Sequence, residues 1–91
     1  MNEINKDNTW STRDLPLASV LVTLRFFCTG INVQAEGTKN NLIGYFVFED
    51  SQSLRDARQK YNQGLIAVEP KLLLANLRNL KSEVANQINQ M

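Results

Sequence analysis

The chain has 91 residues, 43% of them hydrophobic, and ten basic against nine acidic side chains for a formal net charge of +1. That length makes one domain, and the balanced charge excludes a strong global field for nucleic acid, membrane or acidic substrate while leaving room for a local patch. With no histidine and the single cysteine Cys28, one chain forms no internal disulfide and no zinc or iron–sulfur ligand set.

Residues 1–9 are polar and aperiodic, so a disordered N-terminal tail is expected there, with no signal sequence, followed by a single domain over 10–91. Thr12 and Asp14 are both good helix caps, and Pro16 in the first turn favours Asp14. The helix then runs to about Leu24. Leu15, Ala18 and Val22 form one stripe, and Leu17, Leu21 and Leu24 another. With Val20 they cover more than half the circumference, so this helix is expected to be buried on two sides. Trp10 is expected as core or as a staple on its entry. The apolar run from Leu15 to Phe27 is interrupted by Ser19, Thr23 and Arg25 and is too short to span a bilayer.

From Phe26 to Glu36 the period changes to two, which favours a strand over the alternative of a helix continuing to a glycine cap at Gly30. Phe27, Thr29, Ile31, Val33 and Ala35 are expected on one face, and Cys28, Gly30, Asn32 and Gln34 on the other. A polar loop over 36–41 leads to the most apolar extended run, Leu42 to Phe48. That run carries apolar residues on both faces, which predicts a strand that is central in its sheet or covered on both sides. Asp50 or Ser51 caps a second helix with Leu54, Ala57 and Tyr61 on its inner stripe, ended by Gly64. Leu65–Val68 reads as a short third strand, parallel to the second. Glu69-Pro70 opens a last helix of about eighteen residues, with Leu73, Leu77, Leu80, Val84 and Ile88 at helical spacing and Leu74 widening the stripe. The predicted fold is α+β: a three-stranded sheet, an antiparallel hairpin plus a third strand, packed with three helices in the order α-β-β-α-β-α.

Certain strings resemble a known family in order and spacing. They are Ser11-Thr12-Arg13-Asp14-Leu15 leading into Leu17-Ala18, Phe46-Val47-Phe48-Glu49-Asp50, Leu54, Tyr61-Asn62-Gln63-Gly64 and Leu77-Arg78-Asn79-Leu80-Lys81. Together they resemble a family of small prokaryotic domains described only as of unknown function, over roughly residues 10–85. Where that pattern ends the first helix with glycine, this chain has Arg25. The resemblance implies a compact α+β domain and carries no activity, cofactor or catalytic residue.

The residues themselves offer little chemistry. The glycines at 30, 37, 44 and 64 follow no phosphate-loop spacing. Glu49-Asp50 reads as a strand end and helix cap. Phe46 and Phe48 alternate as in RNA-binding strands, but Tyr45 and Val47 beside them are not basic. Cys28 lacks a histidine to activate it. No catalytic residue, cofactor or metal ligand is therefore expected. The expected function is a non-enzymatic interaction or regulatory module of the cytoplasm, where a lone thiol stays reduced. It is expected to self-associate as a homodimer, or to bind another protein, through Leu17, Leu21, Leu24 and Leu72. The alternative is a nucleic-acid-associated accessory protein using Lys71, Arg78 and Lys81 on the last helix, extended by Arg55 or Arg58.

Overall fold

In the computed structural model, which describes residues 8–37 and 41–90, the chain runs β1 (Thr9–Thr12), α1 (Leu15–Thr23), β2 (Cys28–Glu36), β3 (Asn41–Glu49), α2 (Gln52–Asn62) and α3 (Pro70–Asn89). This is an α+β fold of three helices and one three-stranded antiparallel sheet in the order β1-β3-β2. The hairpin and the central place of β3 agree with the sequence reading.

The third strand does not. Leu65–Val68 forms no strand and pairs with nothing in the sheet, and the third strand is supplied instead by Thr9–Thr12. The order is thus β-α-β-β-α-α, and both strand pairs among the described residues are antiparallel. The physical reason is local. Gly64 turns the chain at the end of α2, and Pro70 starts α3 six residues later, so Leu65–Val68 is consumed as a link between helices. Both flanks of β3 are meanwhile taken by β1 and β2. Of the tail expected at 1–9, residues 1–7 lie outside the described ones, while Thr9 pairs with Glu49. Trp10 accordingly belongs to a strand, facing the core opposite Phe48, with ring centroids 6.1 Å apart.

Each helix starts as its cap residues dictate. The Leu17 amide donates to Asp14 Oδ1 at 3.0 Å, the Leu54 amide to Ser51 Oγ at 3.1 Å and the Leu72 amide to Glu69 Oε1 at 2.7 Å. These bonds satisfy amides that the first turn of a helix leaves free. Pro70 occupies the first turn of α3, where it removes no hydrogen bond.

The core lies on one side of the sheet. Phe46 and Phe48 of β3 are buried there with Leu17, Ala18 and Leu21 of α1, Leu54 and Ala57 of α2, and Leu80 of α3. Residues Leu17 to Leu21 are buried without interruption, because α1 packs against both α2 and α3. Ser19, fully buried, donates its hydroxyl proton to the Leu15 carbonyl at 2.8 Å, so this hydroxyl is not stranded. At Gly44, a Cβ would overlap a Val84 methyl, so the bare backbone is what lets α3 close on the sheet.

The molecule is 20 Å thick, which is one sheet and one helical layer. The opposite face of β3, with Ile43, Tyr45 and Val47, is therefore half-exposed rather than covered by a second layer. A tie crosses that open face. Tyr45 donates its hydroxyl to Glu36 Oε2, and Arg13 contacts Glu36 Oε1 at 3.4 Å.

Candidate functional site

Among the described residues the most exposed large apolar side chain is Phe27, at 78%. Period two through Phe26–Glu36 had placed it on the core face with Ile31, and the register shows why that fails. Cys28 pairs with Phe48 and Gly30 with Val47, so Thr29 is an extra residue in a β-bulge. The bulge puts Cys28, not Thr29, on the core face, and Phe27 is left in solvent. Gly30 inside an alternating strand was the available signal for it.

Phe27 belongs to a surface formed where α1, β2 and α3 meet. Half-buried Val22 and Phe26 floor a shallow groove there, with Leu72 (49% exposed) and Asn76 on the α3 side. Arg25 forms its rim in an unusual backbone state, φ +78°, the one non-glycine with positive φ among the described residues. The cause is the way α1 stops. The Phe26 amide bonds the Leu21 carbonyl and the Arg25 amide the Val22 carbonyl, which is a Schellman ending with Arg25 at the left-handed position. The expected glycine is absent, but the helix ends where glycine would have ended it.

From Phe27 the groove continues between α3 and the first half of β2. Asn79 and Glu83 line its middle beside Cys28, and beyond them Asn86, Gln87 and Gln90 face Thr29–Ile31 across a space of about 450 Å³. Burial raises the Cys28 thiol above its ordinary value, opposed by backbone hydrogen bonds around Gly30 and Val47. The thiol is thus held protonated, the opposite of what a nucleophile needs.

The interface residues read from sequence are not one surface. Leu21 is fully buried and Leu17 is 9% exposed, both inside the core, and Leu24 is half-buried. The wide apolar face of α1 is spent on its two neighbouring helices and the sheet, and Leu72 alone of the four is exposed. Leu74, expected on the inner stripe of α3, is 56% exposed instead.

The basic residues are dispersed as well. Lys71, Arg78 and Lys81 are exposed on α3. Arg58 of α2 lies over the Trp10 ring, 4.2 Å from its centroid, on the β1 edge, with its Nε buried and unbonded. Arg55 pairs with Asp50, whose Oδ1 is 3.3 Å from the guanidinium Nε although not aligned as a hydrogen bond. A cation–π stack and an ion pair thus hold the two α2 arginines at the β1 side of the helical layer.

No group of three or more His, Cys, Asp or Glu side chains capable of holding a metal occurs among the described residues. Nor is any described helix long and apolar enough to cross a membrane. No family model, curated protein or solved structure matches the chain.

Proposed function

We propose that this domain is a non-enzymatic interaction module that self-associates, and that Phe27 is the anchor of its binding surface. The exposure of Phe27 beside Leu72 carries the reading. A solvent-facing Phe flanked by Leu and floored by Val22 and Phe26 is an apolar patch rimmed by polar groups, the form that interaction sites take. Arg25 supports it. A residue held in a left-handed conformation costs stability that glycine would not, and such outliers gather where a side chain has work to do.

Sedimentation equilibrium at micromolar concentration tests the reading. The expected result is a mass that rises above 10.3 kDa with concentration and returns to monomer for Phe27→Ser. A constant mass near 10.3 kDa over the whole range overturns self-association.

A further inference from the structure

We infer that the free edge of β2 is a seam at which a second copy of this chain adds its own β2, antiparallel, to make one continuous six-stranded sheet. The inference rests on the self-association proposed above and assigns it a geometry.

The first observation is the edge itself. β2 is nine residues long, pairs with β3 on one side, and no described element pairs with the other. Such a row of unpaired amides and carbonyls accepts an extended strand and nothing else as well. Soluble domains guard long edges with lysine, proline or bulges. β2 contains no lysine and no proline, and its bulge lies at the first end, Cys28–Gly30, leaving Gly30–Glu36 regular.

The second observation is that this regular run is complementary to itself. Its centre is Val33. A two-fold axis there sets Asn32 against Gln34 of the second copy on the open face. On the helical face, Val33 meets its own copy, and Ile31 meets Ala35. Glu36, the one charged residue of the strand, falls opposite Gly30, so no like charges are opposed. Amide thus meets amide and aliphatic meets aliphatic.

The third observation says why a second copy fits better than an unrelated strand. The C-terminal turns of α3 face Thr29–Ile31 and stop there. The other half of the hairpin is left bare on the helical face, with Leu42 37% exposed and Ala35 opposite it also exposed. Antiparallel pairing lays the bare half of one copy beside the half that α3 roofs in the other. Each copy supplies the cover that its partner lacks. The axis passes through the sheet, so both helical layers lie on one side.

Charges introduced at the two facing amides test the seam. Asn32 and Gln34 are exposed, so substitutions there leave the monomer fold intact, which circular dichroism verifies. N32K/Q34K opposes lysine to lysine twice across the axis, and its dimer dissociation constant is expected to rise at least tenfold. N32K/Q34E opposes lysine to glutamate twice and is expected to dimerise as well as the parent or better. In a C28S background, N32C mixed with Q34C is expected to form an intermolecular disulfide on oxidation, and Q34C alone is not. Equal dimerisation of the two charge variants overturns the seam. If Phe27→Ser still abolishes that dimer, self-association stands and only its geometry is lost. A parent chain that never dimerises overturns both.

Discussion

Arg25 and Gly64 occupy the same position in two copies of one helix-ending motif. In α2 the Leu65 amide bonds the Lys60 carbonyl and the Gly64 amide the Tyr61 carbonyl, with Gly64 at φ +73°. In α1 the equivalent bonds place Arg25 at φ +78°. The left-handed conformation is nearly free for glycine and costs an L-residue about 1–2 kcal/mol. Arg25→Gly removes that strain, and the extra freedom of the unfolded glycine chain offsets part of the gain. The variant is expected to be more stable by about 0.5–1 kcal/mol in urea denaturation. A destabilised Arg25→Gly would mean that the arginine side chain supports the fold. A stabilised variant with weakened self-association is the expected pairing.

Gly44→Ala is expected to act against ordinary strand preference. In most strands the change helps, because alanine loses less entropy than glycine. Here the new methyl enters the space of Val84. The expected cost is about 1–3 kcal/mol of overpacking. Combining it with Val84→Ala should recover part of that loss, so the two changes are non-additive in a double-mutant cycle.

Phe46→Ala empties the centre of the core, where the ring is 2% exposed. Such truncations cost about 3–5 kcal/mol. A domain of this size holds about 5–10 kcal/mol in all, so the unfolding midpoint in urea should fall drastically. A change under about 1 kcal/mol, the size of an ordinary surface substitution, would refute the central packing role of β3.

Tyr45 is expected to titrate above 10.0, the ordinary tyrosine value, first because its hydroxyl donates to the Glu36 carboxylate, which the phenolate form cannot do. The folded state therefore keeps this proton to higher pH than the unfolded chain does. The resulting stabilisation is complete below pH 10 and disappears as pH rises through the folded value. Ultraviolet phenolate absorbance, read in a Tyr61→Phe background, reports the midpoint. Glu36→Ala should move it down toward the ordinary value, and an unmoved midpoint would show that the hydrogen bond is absent in solution.

Caps and stripes were legible because they are local. Asp14, Ser51 and Glu69 act within three residues of themselves, and the spacing of Leu54, Ala57 and Leu80 states which helix face is buried. The third strand was not legible in that way. Trp10 and Thr12 alternate inward over only four residues, too few to outweigh the capping signals that follow them. Their pairing with Phe48 and Phe46 is decided by groups some thirty-five residues away. Leu65–Val68 shows the converse, with strand composition but a length that is used up in linking α2 to α3. At the candidate site, one inserted residue at Thr29 exchanged the faces of Phe27 and Cys28. A period-two pattern does not register such a shift unless Gly30 is read as a break in it.

The placement of β1 also bears on how the domain breathes. Four residues join it to one neighbour, and the Arg58–Trp10 stack holds it to the helical layer. Peeling it away uncovers Phe48 yet leaves the β2–β3 hairpin and the helical layer assembled. Such a partial opening needs far less free energy than global unfolding. In deuterated solvent, the β1 amides should therefore exchange early and together, while those of Ala18 to Leu21 wait for the whole domain to open. The N-terminal strand is a clasp that can be undone without dismantling what it closes.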